Sequence, residues 1–360
     1  MDRGFIILDM YKQNIYLDAK KGYNTSRNIV MKWTCKVERL LSMRYIVTGA
    51  DGKLAGRVAE LMLKEVSGDQ LTFTCYKMER VPKDKLKRWE DAGVRVVEAN
   101  YNDKESMLKA FKGGDRLYLI SGLDVGKRVQ QHRNAIDAAI EMGVKHITYT
   151  SFVGARNPAY KHIFVTPDHT ATEEYLESTG IDYTALRNNL YMETFMTMRA
   201  MLAFMSNNRW VTTAGEGKAT LVYKNDCAKA GAASLLGKST RKVYNIVGSE
   251  SVSIRQIAEM ISKRSGQKIE YVPATPEQYY DYLEALGIPH DMSGDFSKSP
   301  APFSANDVVD NDKSVADGLL DVKSNDIEEL TGDKPKTPEE VIGEFDYIWK
   351  DHITNWRQMK

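Results

Sequence analysis

The chain of 360 residues is long enough for one large domain or two unequal ones, and 42% hydrophobic residues suffice for a buried core. Its 50 basic and 49 acidic residues give a net charge of +1, which excludes a global field favouring nucleic acid or a membrane surface. No stretch approaches the ~18 apolar residues that span a bilayer. The cysteines Cys35, Cys75 and Cys227 form neither a metal-binding spacing nor a disulfide framework, so we expect a cytoplasmic protein without a metal site.

Residues 1–42 differ from the rest of the chain. Charged residues interrupt their apolar stretches, so no secretory segment is expected. Met43 stands directly before the first predicted strand, and we expect 1–42 to be a poorly ordered extension or the product of a misplaced start codon. The alternative is a helix that packs on the following domain through Val37, Leu40 and Leu41.

A glycine-spaced turn between a strand and a helix is the first motif with a functional meaning. An apolar run at 45–47 enters the turn, and 57–64 leaves it with helical periodicity. This order brings backbone N–H groups and the positive end of a helix to a pyrophosphate. Asp51 within the turn has to point away, because a carboxylate beside a pyrophosphate is unfavourable. The expected cofactor contacts in the turn are Gly49, Ala50, Gly52, Lys53 and Leu54. The spacing is Gly-x-x-Gly-x-x-Ala, not Gly-x-Gly-x-x-Gly, so a plain glycine turn is the alternative.

Alternating strand and helix patterns continue after the turn. Strands are predicted at 71–76, 94–98, 117–122 and 144–150. A charged turn at 77–87 is predicted after the first of these, and helices are predicted after the next two. This alternation predicts an α/β fold, a Rossmann-type doubly wound parallel sheet, over 43–190. Ligands of such sheets lie outside the carboxyl ends of the strands, so the residues there should converge on one crevice. The expected cofactor contacts after these strands are Lys77, Arg80, Ser121, Gly122, Thr150, Ser151 and Phe152.

The end of the second predicted strand bears on the choice of cofactor. An acidic residue there suits the ribose 2′-hydroxyl of NAD(H), whereas basic groups suit the 2′-phosphate of NADP(H). The sequence offers Tyr76, Lys77 and Arg80, with Glu79 as the nearest acid. NADP(H) is therefore favoured, NAD(H) stays open, and a solvated run of surface charges is the structural alternative.

Several separated motifs together resemble one known family. They are Thr48-Gly49-Ala50-Asp51-Gly52-Lys53-Leu54, Ala135-Ile136-Asp137-Ala138-Ala139 with Gly143-Val144-Lys145-His146-Ile147, and Tyr183-Thr184-Ala185-Leu186-Arg187-Asn188. They are similar to the NmrA-like group of atypical short-chain dehydrogenases. Within that group, two further stretches resemble the NAD(P)H:quinone oxidoreductase type 2 and triphenylmethane reductase branch in order and spacing: Asp168-His169, Thr172-Glu173, Leu176, Gly180-Ile181, Arg187-Asn188, Tyr191 and Glu193, and the late Leu330-Thr331-Gly332-Asp333-Lys334-Pro335. The resemblance spans 43–345 and implies a cofactor-binding protein, in a family that holds both reductases and non-catalytic sensors.

The usual catalytic pair of short-chain dehydrogenases is missing from the sequence. Those enzymes place a Tyr-x-x-x-Lys pair after the fifth strand, so that a lowered tyrosine pKa can deliver a proton. Here Tyr160 is followed four places later by Phe164, and Ser151 stands where the family serine would be. The departure fits the resembled branch, whose acceptors take hydride directly while water completes protonation.

Residues near the sixth predicted strand supply the candidates for a substrate pocket. A helix is expected to begin at 166–167, with His169, Thr172 and Leu176 on one face. His169 is expected to orient the nicotinamide or donate a proton, against the alternative of a structural or surface histidine. Arg187 shapes the junction of cofactor and substrate or forms a buried ion pair. The predicted pocket residues are Phe152, His169, Asn188 and Tyr191, with His169 and Tyr191 as catalytic candidates.

The remaining chain, 191–360, is expected to form a small substrate lobe interleaved with the last core strands, ending in a helical tail. A methionine-rich helix at 192–205 lines an adaptable pocket for a flat ligand, packs in the core or forms a dimer face. A further helix is predicted at 314–320.

The function expected from these observations is an NAD(P)H-dependent reductase that transfers hydride directly to a small planar acceptor such as a quinone. The missing tyrosine–lysine pair keeps a second hypothesis open, a redox sensor that binds NADP(H) and turns nothing over. An epimerase or dehydratase would need the absent pair. No nucleic acid or membrane partner is expected, and a homodimer is left open.

Overall fold

The computed structural model describes residues 42–124 and 126–359, and its centre is a parallel sheet of seven strands. The predictions for residues 1–41, an extension or a packed helix, lie outside the described residues. The strands are β1 (Tyr45–Val47), β2 (Leu71–Cys75), β3 (Arg95–Glu98), β4 (Arg116–Leu119), β5 (His146–Phe152), β6 (Asp182–Asn188), β7 (Arg209–Thr212), β8 (Lys218–Ala219), β9 (Val243–Ile246), β10 (Val252–Ser253) and β11 (Glu270–Pro273). The order across the main sheet is β3-β2-β1-β4-β5-β6-β9.

The helices pack on both faces of this sheet and form most of a smaller lobe. They are α1 (Lys53–Glu65), α2 (Lys83–Asp91), α3 (Lys104–Phe111), α4 (Arg128–Glu141), α5 (Thr166–Thr179), α6 (the consecutive segments Met192–Thr194, Phe195–Arg199 and Ala200–Met205), α7 (Lys224–Leu235), α8 (Ile254–Ser265), α9 (Pro276–Ala285), α10 (Ala305–Ala316), α11 (Asp326–Thr331), α12 (Pro338–Val341) and α13 (Tyr347–Lys350). The middle segment of α6 has π-helical hydrogen bonding. Within the described ranges, every helix is too short or too polar to span a lipid bilayer.

The side chains of the central strands alternate between two cores. Tyr45 and Val47 of β1 join the apolar cluster under α1, α2, α7 and α11, whereas Ile46 joins the cluster under α3, α4 and α5. This alternation is the period of two of an extended strand, and strands covered on both faces need the continuous apolar runs seen here. The predicted fold class, a doubly wound Rossmann-type sheet, is confirmed.

A third apolar cluster forms the lobe beside the carboxyl edge of the sheet. It gathers α6, α8, α9, α10 and two small sheets, β7 with β11 and β8 with β10. Met196 and Met201 of α6 lie buried in this cluster, so the methionine-rich helix packs in the core of its own chain. The predicted division into 43–190 and 191–360 stays a prediction. Within the second range, β9 joins the main sheet and α7 covers one of its faces.

Three local predictions differ from the structure. The charged segment after β2, read as a turn, holds α2, whose buried Trp89 packs against Phe73 with ring centroids 5.0 Å apart. Because Trp89 is the buried residue of α2 and the other positions are mostly charged, the segment lacks the apolar periodicity by which a helix is recognised. The helix predicted at 314–320 is wrong, because α10 ends at Ala316 and Gly318 follows with φ +72°. The fourth strand ends at Leu119, which leaves Ser121 and Gly122 in a loop.

A buried ion pair joins α6 to α10. The guanidinium of Arg199 donates to both carboxylate oxygens of Asp312, at 3.0 and 2.7 Å, and Thr212 donates to the same carboxylate. The Arg199 and Asp312 side chains are 5% and 0% exposed. Both charges are almost completely withdrawn from water, so each depends on the other.

We therefore expect Asp312→Ala to lower the free energy of unfolding by about 3–5 kcal/mol, because it leaves a buried guanidinium unpaired. The control is Asp317→Ala. It removes an exposed ion pair at the end of α10, in which Nζ of Lys313 lies 2.7 Å from the Asp317 carboxylate. That pair contributes about 0.5 kcal/mol or less. Urea denaturation of both variants measures the difference, and equal small losses would contradict the role given to the buried pair.

Candidate active site

A cavity of about 790 Å³ lies at the carboxyl edge of the main sheet, between the strand ends and the lobe. The loops after β1 to β4 and the ends of β5 and β6 form its floor, while α6 and α10 contribute its opposite wall. The sheet topology accounts for this position, since parallel strands all deliver their carboxyl ends to the same edge.

The glycine turn closes tightly at one end of the cavity. Gly49 has φ +62°, and a Cβ atom placed on it would lie 2.8 Å from Cγ2 of Ile120. Gly52 donates its N–H to the Gly49 carbonyl at 2.8 Å and precedes α1, which has no acidic residue in its first turn. A glycine is therefore required at 49, and the N-terminus of α1 is left as a positive, side-chain-free approach for an anion.

Cations surround this end of the cavity. Arg57 pairs with Glu193 at 2.9 Å, and the same carboxylate accepts the backbone N–H of Lys224 at 3.0 Å. The Lys224 ammonium lies 4.9 Å above the Tyr191 ring, and burial lowers its pKa against the opposing charge of Glu193. Burial and the charge of Arg57 also lower the pKa of Lys53. Three cations thus face one carboxylate, an excess of positive charge that suits a polyanion.

Asp51 points away from the glycine turn, as expected. Its carboxylate accepts the backbone N–H of Tyr76 at 3.3 Å and lies 3.6 Å from Nε of Arg80. Arg80 and Tyr76 border the cavity at the end of β2. Lys77 instead lies 3.6 Å from Glu79 on the surface. The turn therefore keeps its positive end unopposed, and Arg80 is the basic group of this segment that borders the cavity.

His169 lies on the wall of the cavity, in the first turns of α5. The hydroxyl of Tyr149 lies 2.8 Å from its Nδ1, and the Phe152 ring packs beside it with centroids 6.2 Å apart. Burial, then the positive charge of Arg128, lower the pKa of His169 well below its ordinary value. The imidazole is therefore neutral near pH 7, which rules out an imidazolium and leaves a hydrogen-bonding role.

Ser151 and Arg187 are engaged in a buried ion pair. Arg187 donates to both carboxylate oxygens of Glu173, at 2.9 and 2.6 Å, and Ser151 donates to the same carboxylate at 2.6 Å. Glu173 has no exposed side-chain surface. The ion-pair interpretation of Arg187 is confirmed, and the Ser151 hydroxyl is held by this pair although the residue borders the cavity.

Tyr160 does not reach the cavity. Its hydroxyl donates to the carbonyl of Leu319 in the lobe at 2.5 Å. At the end of β6, by contrast, Asn188 donates to the hydroxyl of Tyr191 at 3.2 Å, and both residues line the cavity. Burial raises the pKa of Tyr191, so its hydroxyl keeps its proton near pH 7.

The lobe supplies an apolar wall with a few polar groups. Its apolar members are Val165, Leu190, Phe195, Met198, Phe303 and Val308. Asp307 and Asn311 of α10 lie among them, with the Asn311 amide donating to the Asp307 carboxylate at 3.2 Å. Burial raises the pKa of Asp307 to about 6, against the opposing charge of Arg128. An apolar face with few polar groups suits a flat organic molecule.

The structure brings most of the predicted site residues together. Those lining the cavity are Gly49, Gly52, Lys53, Leu54, Arg80, Ser121, Gly122, Thr150, Ser151, Phe152, His169, Asn188 and Tyr191. Ala50 and Lys77 do not line it: Ala50 is fully buried with its N–H bonded to the Thr74 carbonyl, and Lys77 is exposed.

Comparison with known proteins identifies the family. The signature of the NmrA-like family matches residues 42–342. The chain belongs to the NmrA-like family. It is 30% identical to quinone oxidoreductase 2 of Escherichia coli strain K12 over 272 residues. These aligned residues cover 75% of this chain and 91% of that protein.

Two solved structures are similar to this NmrA-like chain throughout their length. One is the NADPH-dependent quinone oxidoreductase of Escherichia coli complexed with NADPH, with 28% identity, a TM-score of 0.73 and coverage of 83% of this chain and 99% of that one. The other is the triphenylmethane reductase of Citrobacter sp. complexed with NADP(H), with 30% identity, a TM-score of 0.71 and coverage of 84% and 99%. The predicted family and branch are confirmed.

Sequence reasoning missed several cavity residues of this NmrA-like protein. No site residue was predicted at Lys224, and Asp307 precedes the range in which the last lobe helix was predicted. Arg128 begins α4, where no motif marks it. The shared signal is a polar residue in the first turn or two of a helix, which is too common to single out a site.

Three buried histidines within the described residues make the fold sensitive to acid. Burial, then the charge of Arg128, lower the pKa of His132 to about 3 and that of His169 in the same direction, and burial also lowers the pKa of His146. Below about pH 6.5 the histidines of the unfolded chain become protonated, whereas the buried histidines of the folded chain stay neutral to lower pH. The folded state is therefore fully stable above that pH and loses stability as the pH falls.

We expect the free energy of unfolding to decline below about pH 6.5 by up to about 1.4 kcal/mol per pH unit for each buried histidine. Urea denaturation between pH 7 and 4.5 measures the slope. His132→Asn removes one of these groups, so its slope should be smaller than that of the parent. Parallel slopes would mean that His132 takes up its proton in the folded state.

Proposed function

We propose that this chain is an NADPH-dependent reductase that transfers hydride directly to a small planar acceptor, such as a quinone or a dye. One observation carries the proposal. A single cavity of about 790 Å³ has a glycine turn at one end and an apolar wall beside a buried histidine at the other. The first end fits a dinucleotide pyrophosphate and the second a flat ring, so both reactants fit in one enclosure.

The relatives support the enzyme class and the cofactor. Their names describe a quinone oxidoreductase, a triphenylmethane reductase and, at 21% identity over 249 residues, an NAD(P)H azoreductase from Xenophilus azovorans. The matched structures hold NADPH or NADP(H). The sequence-based prediction of an NAD(P)H-dependent oxidoreductase that favours NADP(H) is confirmed at this level, and the acceptor is our proposal.

The residues at the glycine end would hold the cofactor phosphates. Gly49 and Gly52 put backbone without side chains at this end of the cavity, next to the N-terminus of α1. Lys53 and Lys224 border the same space and supply charge for the pyrophosphate. Arg80, at the end of β2, is placed for a 2′-phosphate.

The other predicted contacts would position the reacting ring. Ser121, Gly122 and 150–152 lie along the strand ends between the glycine turn and the apolar wall. Asn188 and Tyr191 bond to each other at 3.2 Å and present a fixed polar edge to the cavity. We propose that this edge orients the cofactor ring towards the acceptor, with Phe152 and His169 on the acceptor side.

The chain contributes positioning, exclusion of water and one fixed hydrogen-bond donor. When bound, the reduced nicotinamide supplies the hydride, which carries both electrons to the acceptor. Phe195, Met198 and Phe303 form an apolar face against which a flat acceptor can lie. His169 is neutral and keeps its proton, so it stabilises negative charge on the acceptor oxygen by hydrogen bonding. The proton that completes the reduced product comes from water.

The same geometry supports direct transfer without a tyrosine acid. The Tyr160 hydroxyl is committed to the Leu319 carbonyl, position 164 is phenylalanine, and the Ser151 hydroxyl is committed to Glu173. A quinone or cationic dye accepts hydride without prior protonation, so this loss costs such a reaction little. The absence of a tyrosine acid also leaves the non-catalytic NADP(H) sensor as an alternative, because a sensor needs only the cofactor-binding site.

We propose a cytoplasmic protein with a small C-terminal lobe over a Rossmann core. Cys75 and Cys227 are buried free thiols, which suits a reducing compartment. The homodimer left open by the sequence stays a prediction. On its candidate face, α6, Met192, Met196 and Met201 are buried within the chain, whereas Met198 and Met205 are partly exposed.

The decisive experiment is NADPH oxidation by the pure protein with benzoquinone, menadione, a triphenylmethane dye or buffer alone. NADPH affinity is recorded in the same samples by fluorescence. We expect turnover above the buffer control with at least one acceptor. Tight NADPH binding without turnover on any of them would reject the reductase and favour the sensor.

Gly52→Asp tests the cofactor seat. We expect NADPH affinity to fall at least about 100-fold, because the new carboxylate would stand beside the pyrophosphate in a partly enclosed site. Gly52→Ala is the matched control: its Cβ would lie 3.1 Å from the Gly49 carbonyl oxygen, which a small shift relieves, so the loss should stay below about tenfold. Fluorescence titration measures both, and an unweakened Gly52→Asp would place the phosphates elsewhere.

A further inference from the structure

A row of three buried rings leads to the cavity from behind its wall. His132 of α4, Tyr149 of β5 and His169 of α5 follow one another, with ring centroids 5.3 and 5.9 Å apart. Of the three, His169 lines the cavity. The elements that carry them are separate in the fold, so their alignment is a tertiary feature.

The backbone sets the protonation of the first ring. The N–H of Gly122 donates to Nε2 of His132 at 2.9 Å, so that nitrogen carries no hydrogen. The neutral ring therefore carries its hydrogen on Nδ1, which lies 2.8 Å from the Thr172 hydroxyl and 3.3 Å from the Tyr149 hydroxyl. Thr172 donates its own hydrogen to the Asp168 carbonyl at 2.8 Å, so it accepts from His132.

The hydroxyl of Tyr149 links the two histidines, so the hydrogen-bond direction set at His132 decides the one at His169. On one side it lies 3.3 Å from Nδ1 of His132, which carries its hydrogen and cannot accept, and on the other it lies 2.8 Å from Nδ1 of His169. The hydroxyls of Thr172 and Ser121 also lie near it. We assign the Tyr149 hydrogen to the short contact with His169. A neutral imidazole whose Nδ1 accepts carries its hydrogen on Nε2. Nε2 of His169 has no hydrogen-bond partner within 42–124 and 126–359, on a ring that lines the cavity.

We propose that His132 and Tyr149 are positioning residues that fix His169 as its Nε2–H tautomer, with this N–H as the hydrogen-bond donor to the acceptor oxygen. The inference rests on the proposed reductase function, which supplies the acceptor. As the acceptor takes up the hydride and its two electrons, negative charge grows on that oxygen. A donor that is already oriented stabilises the charge without rearranging. His169 keeps its proton, and water supplies the one that completes the product.

Arg128 keeps the row neutral. Its guanidinium donates to the Gly122 carbonyl at 2.7 Å and lies 3.4 Å from the Asp168 carboxylate. Together with burial, which is the larger cause, it lowers the pKa of both histidines. An imidazolium at His169 would donate from both nitrogens and reverse the bond to Tyr149, so neutrality is what keeps the direction of the row fixed.

The tautomer can be read in the unmodified protein without turnover. In 15N-histidine-labelled protein at pH 7, the signals of His169 are those that disappear in His169→Gln. We expect a protonated Nε2 and an unprotonated Nδ1 for His169, and the opposite pattern for His132. A protonated Nδ1 on His169, alone or in an imidazolium, would overturn the proposal.

Tyr149→Phe tests whether the row sets the tautomer. We expect His169 to lose its preference for Nε2–H and kcat to fall about tenfold, with the NADPH dissociation constant within about twofold of the parent. Tyr175→Phe is the matched control, since Tyr175 lies on the same helix as His169 and its hydroxyl donates to Asp137 at 2.6 Å, outside the row. It should change neither readout.

The possible failures can be told apart. A Tyr149→Phe variant that keeps both the tautomer and kcat would overturn the role of Tyr149. The spectrum of the unmodified protein still decides the tautomer if that variant does not fold. Absence of turnover with every acceptor would reject the reductase function, whereas the tautomer would still test the row on its own.

Discussion

The parallel pairing of all strands in the main sheet is the constraint on which the rest of this structure depends. Because every strand runs in the same direction, the segments that follow them are delivered to one edge. The glycine turn after β1, the loop holding Ser121 and Gly122, and the last residues of β5 and β6 all meet there. The lobe covers this edge and turns an open crevice into a cavity with two chemically different ends.

The two ends differ in how they treat charge. At the glycine turn, Lys53, Arg57 and Lys224 lie around Glu193, and Arg80 faces Asp51, so four cations meet two carboxylates and the site is prepared for an anion. Towards the lobe, Arg187 and Glu173 are paired and buried, the imidazole of His169 is neutral, and burial raises the pKa of the Asp307 carboxyl group to about 6. A charged ligand end and an uncharged ring thus find matching surroundings, which is the polarity pattern of a reduced dinucleotide meeting a planar acceptor.

The two residues that stand near the position of the missing tyrosine–lysine pair, Tyr160 and Ser151, both have structural roles. Tyr160 is part of the junction between core and lobe, and Ser151 belongs to a buried ion pair, so neither residue is a weakened remnant of a proton-transfer device. The polar function that remains is His169, supported from behind by residues on two other elements. Such a site stabilises charge on an acceptor that needs no protein acid, and the burden of chemistry rests on the cofactor.

The sequence by itself determined the alternation of strands and helices, the glycine turn and the family, because these follow from local periodicity, backbone freedom and motif spacing. It failed at α2 and α10, where one buried tryptophan or a late glycine decides the element. Only the tertiary structure decided that His132, Tyr149 and His169 form one row, since their bonds join positions 17 and 20 residues apart on separate elements. The packing of α4 and α5 against β5 places them, and no local pattern encodes that packing.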